Sequence, residues 1–264
     1  MNYTSADFHL HYISSYTLYI QSDTINDHLI VVGQQNEILV YMTYDNLTPP
    51  AEAVKLLSLP FSKVHINIPQ QNLVWVPSEV YEESEKEMYL DYFADITLDD
   101  LKTKEIEEIG AVGLYNYDVL TLHKWRNIFP EANIQPSFEI FLRQSLLQME
   151  EENDVLGIQF YDNQADIFLF VNNEMRLYNS FEIATVDDVS FFILSIMKNF
   201  SISGKLQKII VSGVNKDSEW GVRLKSFCQQ IVQLESAQKL VCENDIIADQ
   251  VKSLNILTDI SLCV

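Results

Sequence analysis

Apolar and polar positions along the chain fall into one order of elements that occurs twice. The first pass reads as strands at Tyr16–Ser22, His28–Val32 and Glu37–Tyr44, a helix near Pro50–Ser58 and a strand at Lys63–Ile68. The second reads as strands at Val155–Tyr161, Ala165–Val171 and Met175–Ile183, a helix at Val186–Asn199 and a strand at Lys208–Gly213. A further helix follows each pass. Each unit has an open apolar face that its own helices must cover, so the repeated order predicts a duplicated architecture. Ile167–Val171 is continuously apolar, as expected of a strand covered on both faces. Asn172-Asn173-Glu174 and Gly33-Gln34-Gln35-Asn36 supply the tight hairpin turns.

Helix signals are sharper than strand signals. Thr185 is a good N-cap, Asp187 and Asp188 follow where the dipole favours acids, and Val189, Phe192, Ile193, Ile196 and Met197 form the apolar face. A helix from about Asp217 to Val232 would place Trp220, Leu224, Phe227, Cys228 and Ile231 on one side. In the first half, Thr48 is expected to cap a helix entered through Pro49 and Pro50, with Ala51, Val54 and Leu57 facing inward. Ser78 opens another expected helix, to about Phe93, and Asp118 a third that Pro130 stops. The connecting helix is Ser137–Glu151, dividing a first half, 1–136, from a second, 137–264. Clustered acids from Glu150 to Asp154 oppose its C-terminal dipole and should fray it. The tail beyond residue 235 has mixed periodicity and is left unassigned.

Charge narrows the partners. A formal net charge of -21 repels nucleic-acid backbones and anionic membrane surfaces, which leaves a protein as the expected partner. Eleven of the acids lie in residues 82–108, which fall outside the repeat and read as an exposed acidic insertion. No apolar run is long enough to span a bilayer, and the N-terminus lacks a signal-peptide pattern, so the expectation is a cytoplasmic protein. Cys228, Cys242 and Cys263 lack metal-ligand spacing and read as reduced thiols. His9-x-His11 has the spacing of a metal pair but no companion ligands, and His65 and His123 read as packing or surface residues. Tyr16, Tyr19, Tyr41, Tyr44, Tyr115 and Tyr117 fall on strands and read as core. No P-loop, dinucleotide fingerprint or nucleophile elbow is present.

Three strands, helix, strand and helix, repeated across a connecting helix, resembles the actin-like ATPase fold of actin, the heat-shock chaperone ATPases and the sugar kinases. More narrowly, Leu73-Val74-Trp75-Val76-Pro77, Leu177-Tyr178-Asn179-Ser180-Phe181, Thr185-Val186-Asp187-Asp188 and Lys208-Ile209-Ile210-Val211-Ser212-Gly213 look like a family of bacterial proteins of unknown function with that fold. The resemblance implies an α/β class: a duplicated actin-like ATPase (ribonuclease H-like) architecture of two mixed-sheet halves joined by a helix.

The wider superfamily holds phosphate on hairpins that carry an acid and a nearby glycine, because the backbone must come close to the anion. Here the first hairpin reads Gln21-Ser22-Asp23-Thr24-Ile25-Asn26-Asp27 and the second Tyr161-Asp162-Asn163-Gln164-Ala165, neither with a glycine. The adenosine-side turn, Ser212-Gly213-Val214-Asn215, has one where two are usual. Two readings follow. The first is a non-catalytic interaction or scaffold module with a degenerate nucleotide cleft and no cofactor. The alternative is an ATPase or kinase that binds ATP and magnesium through Asp23, Asp162, Ser212, Gly213 and Asn215. Set against the alternative, Asp23 and Asp162 also fit as ordinary turn residues and Gly213 as a left-handed turn.

Overall fold

The structure is a computed structural model that describes residues 2–149 and 154–259. It contains two compact units, residues 1–139 and 140–264.

In the first unit the strands are β1 (Asn2–Thr4), β2 (Thr17–Ser22), β3 (Asn26–Val32) and β4 (Ile38–Asp45), followed by α1 (Ala51–Leu57) and β5 (Lys63–Ile68). Next come β6 (Asn72–Pro77), β7 (Lys102–Ile106), β8 (Ala111–Asn116), α2 (Val119–Ile128) and β9 (Asn133–Pro136). The helix α3 (Ser137–Leu146) runs from this unit into the next. The second unit continues with β10 (Asp154–Tyr161), β11 (Gln164–Val171), β12 (Glu174–Glu182), α4 (Val186–Asn199) and β13 (Leu206–Ser212). It ends with α5 (Glu219–Leu224), β14 (Cys228–Gln233), α6 (Asp245–Lys252) and α7 (Asn255–Asp259).

The two main sheets share one topology. The first is ordered β1-β4-β3-β2-β5-β9 and the second β12-β11-β10-β13-β14. In each, three antiparallel strands are followed by two that run parallel to the first of them. Apart from the added β1, the strand orders correspond one to one. The strands expected from alternation are therefore present in both units, within a residue or two of their expected ends. At Asn172 and Asn173 the φ angles are +53° and +61°, the pair of left-handed residues that a two-residue hairpin needs.

Packing explains the well-formed helices. Thr185 and Asp188 make a reciprocal capping box at α4, with Thr185 N–H donating to Asp188 Oδ2 at 2.8 Å, and Val189, Ile193, Ile196 and Met197 are buried. Asp118 caps α2 by accepting from Thr121 N–H at 2.8 Å. All six singled-out tyrosines are buried, Tyr16 and Tyr117 lying just off the strand ends.

Several expectations are corrected. The first helix is capped by Pro50 without a side-chain bond, so Thr48 does not cap it; its inward residues are Ala53, Leu56 and Leu57, while Val54 is 53% exposed. One residue of slip in a seven-residue helix moves the whole face. Ser78–Phe93 forms no α-helix but two stretches of tighter 3-10 turn, broken where Glu82 is extended. The longer stretch fully buries no side chain, Tyr89 and Leu90 packing only partly against the small core, so little from packing propagates a helix there, and Glu83 and Glu87 would repel across one turn of helix. The helix expected over Asp217–Val232 stops at Leu224, and Cys228–Gln233 pairs in parallel with β13. The spacing of Trp220, Leu224, Cys228 and Ile231 fits a long helix, but it also fits a short helix and a strand lining the same core. The open edge of β13 decides between them.

Residues 82–108 are not a loose insertion either. They supply β7 to a three-stranded antiparallel sheet, β6-β8-β7, and place Phe93 and Leu101 in a small core with Val76, Val112 and Leu114. Ten of the eleven acids there are exposed and Asp100 is partly covered, so the acidic surface stands on a folded base. The stretch expected to fray, Glu150–Asp154, lies outside the described residues except for Asp154, as does Cys263. No helix among the described residues is long and apolar enough to cross a membrane.

Candidate functional site

In the first unit, the β2–β3 hairpin turns its acid inward. Asp23 is 6% exposed, and its carboxylate accepts from Gln21 Nε2 at 3.0 and 2.8 Å, with His28 Nε2 3.7 Å away. Its backbone N–H donates to Asn26 at 2.9 Å and its carbonyl accepts from Asn46 Nδ2 at 3.1 Å. A carboxylate committed in this way orders the turn. Four residues on, Asp27 is fully buried; it accepts from Ser22 Oγ at 2.6 Å and pairs with Lys124 Nζ at 2.6 Å. Burial, and secondarily the Asp27 charge, raises the Tyr44 hydroxyl above its ordinary range. Sequence reasoning missed Asp27 because the partner that permits its burial, Lys124, lies 97 residues away. At the carboxyl end of β5, Asn67 is buried and accepts from Ser137 Oγ at 2.7 Å.

In the second unit, the β10–β11 hairpin places Asp162 on the surface at φ +42°, an ordinary left-handed turn position. Ser212, at the carboxyl end of β13, is 1% exposed and donates to Asn255 Oδ1 of α7 at 2.8 Å. Asn255 Nδ2 donates to Gln144 Oε1 at 2.9 Å, and Gln144 donates to Asp259. Asp259 also accepts from Ser236 Oγ at 2.5 Å and from the N–H of Ala237 at 2.9 Å. These bonds tie the otherwise apolar end of α7 into the unit. Gly213 has φ +84°, and a Cβ there would lie 2.0 Å from the carbonyl oxygen of Phe160. Only glycine fits. Asn215 is exposed and shapes the turn into α5, its Oδ1 accepting from Asp217 N–H at 2.8 Å.

The turn of Gly213 is thus brought against the strand that leads to Asp162, and Ser212 against α7. The strongest polar centre of this unit is a residue the sequence reading passed over. Asp166 is fully buried and accepts from the hydroxyls of Tyr161 at 2.5 Å, Tyr178 at 2.9 Å and Ser180. An acid inside an otherwise apolar run was the available signal. Gln159, directly opposite Asp166 on β10, is buried and donates from Nε2 to the Phe160 carbonyl at 3.0 Å.

Among the described residues there is no group of three His, Cys, Asp or Glu side chains placed to hold a metal ion. His9 and His11 flank and enter an exposed 3-10 turn, not a strand. Against the acidic segment lies an open depression of about 590 Å³ lined by Glu83, Lys86, Glu87, Asp99, Lys102 and Tyr115.

A family model described as "Protein of unknown function (DUF3822)" matches residues 6–231. The chain belongs to this family. No curated protein matches it in sequence. Among solved structures it is similar to a Bacteroides thetaiotaomicron protein with actin-like ATPase fold and unknown function. That match has 18% identity and a TM-score of 0.64, and covers 86% of this chain and 93% of the other. It is also similar to the PilM-PilN type IV pilus biogenesis complex, at 8% identity and a TM-score of 0.59, covering 92% and 95% of the two chains. At these identities the likeness establishes the fold: this DUF3822 member has the actin-like ATPase fold, as the resemblance in its strand and turn patterns implied.

Proposed function

We propose that this chain is a non-catalytic protein-interaction or scaffold module, built on the actin-like ATPase fold with its nucleotide positions turned to structural use. The observation that carries this reading is the Ser212 hydroxyl, buried and committed to Asn255 of α7. In the same unit Gly213 comes too close to the Phe160 carbonyl to carry a side chain and Asn215 shapes its own turn, and in the first unit Asp23 is held by Gln21. Hairpins without glycine keep side chains where phosphate would meet backbone N–H groups. The corresponding strand orders of the two sheets support a duplicated protein, with halves at 1–136 and 137–264, and the charge supports a cytoplasmic protein with a protein partner. A protein of this fold solved as the PilM-PilN complex gives the reading a precedent in kind. The test is turnover: purified protein with Mg-ATP should release phosphate at the background rate. Hydrolysis well above background that Asp162→Ala abolishes would put an ATPase in its place.

A further inference from the structure

The acids of this chain are unevenly spread. Between Val189 and Lys216 there is no aspartate or glutamate, in a chain that has 38 of them, and four lysines fall there. Lys208 is buried and donates to the Gln148 carbonyl at 2.8 Å, but Lys198, Lys205 and Lys216 are exposed. The acids that border this run are already engaged: Asp187 pairs with Arg223, Asp188 closes the capping box, and Asp217 pairs with Lys225 at 2.9 Å. One stretch of an otherwise acidic protein is therefore locally cationic.

Most of α4 lies in this run. Its buried residues, Val189, Ile193, Ile196 and Met197, belong to the core of the second unit, and its exposed stripe is Asp187, Phe191, Leu194 and Lys198. At 3.6 residues per turn these four fall within an arc of about 60°. Phe191 is 65% exposed and Leu194 55%, and Val222 of α5, next to the arginine that holds Asp187, is 57% exposed. The solvated face of a helix normally carries polar residues. An apolar strip with lysine beyond it is the counterpart of an amphipathic helix whose polar residues are acidic.

We propose that the exposed stripe of α4 docks an acidic amphipathic helix of a partner protein, its apolar residues on Phe191 and Leu194 and its carboxylates toward Lys198 and Lys205. Charge selects both the occupant and its place. The acidic surface elsewhere repels such a helix, and over the acid-free run it meets lysine instead. An anionic bilayer shares this chemistry, but it is far wider than the Debye length of about 8 Å and so would confront the acidic surroundings as well. A second copy brings one formal charge of -21 against another. This inference rests on the interaction-module reading and names the kind of partner that module takes.

The probe is a fluorescein-labelled helical peptide with leucine along one face and glutamate and alanine on the rest, against a control of the same composition rearranged so that no leucine face forms. Fluorescence polarisation should show saturable binding of the amphipathic peptide that weakens as salt rises. Binding should fall about tenfold or more in Phe191→Ser/Leu194→Ser and also in Lys198→Glu/Lys205→Glu, which leaves the apolar strip in place, with the unfolding midpoints unchanged. No saturable binding, equal binding of the two peptides, or binding that either variant leaves unchanged would overturn the proposal. Flotation with phosphatidylserine vesicles, or self-association in sedimentation that Lys198→Glu/Lys205→Glu abolishes, would overturn it in favour of a bilayer or a second copy. ATP turnover is read in a separate assay, so failure here is distinct from failure of the module reading.

Discussion

Ser212 donates its hydroxyl to Asn255 Oδ1 at 2.8 Å, joining the carboxyl end of β13 to the C-terminal helix with both side chains buried. Asn255→Ala strands that hydroxyl and the Gln144 carbonyl oxygen without a partner. The expected loss is about 1–3 kcal/mol by urea denaturation, whereas Asn215→Ala, on the surface, should cost far less. Equal effects would show that the buried bond is not what holds α7.

Gly213 offers a sharper case. Gly213→Ala combines a left-handed backbone with overlap onto the Phe160 carbonyl and should destabilise by about 3 kcal/mol. At Gly110 the φ is also positive, +61°, but nothing lies within 4 Å of the added carbon, so Gly110→Ala should cost only about 1 kcal/mol. The difference between the two denaturation midpoints isolates the close approach from the dihedral.

Capping separates two threonines that look alike in sequence. Thr185→Ala removes the hydroxyl half of a capping box and should cost about 1 kcal/mol. Thr48→Ala should leave the melting temperature unchanged, because Thr48 is exposed and α1 has no side-chain cap.

Alkaline pH should weaken the fold before it reaches the ordinary limit of tyrosine titration in the native state. Burial raises the Tyr115 hydroxyl from its ordinary value near 10 to about 12, and burial also raises Tyr41 and Tyr117. Above the unfolded value the unfolded chain has released protons that the folded chain retains. Stability is therefore complete below about pH 10 and falls as pH rises toward about 12. Denaturation midpoints across that range should decline, and Tyr115→Phe should flatten the decline; a midpoint independent of pH would contradict the burial argument.

What the sequence made legible follows from the range of the forces involved. Four strands of each main sheet, β2 to β5 and β10 to β13, and α4 were readable because alternation, Thr185 and a wide apolar face are local signals. The sheet β6-β8-β7 was hidden because Lys102–Ile106 is rich in charge and takes its strand form from pairing with β8. Cys228–Gln233 was misread as helix because the demand of β13 for a neighbour is tertiary. At the candidate site, Asp23 and Asp162 were found as turn acids, but Asp27 and Asp166 were not. Their burial depends on Lys124 and on Tyr161, Tyr178 and Ser180, which only the fold assembles.

Direct nucleotide binding tests the central claim most closely. A thermal-shift titration with Mg-ATP should leave the unfolding midpoint where it is without ligand, since Ser212 and Asp23 are committed to the fold and neither hairpin carries the glycine that phosphate needs. A midpoint that climbs with concentration as RT ln(1 + [L]/Kd) requires, and that stops climbing in Asp162→Ala, would contradict the account.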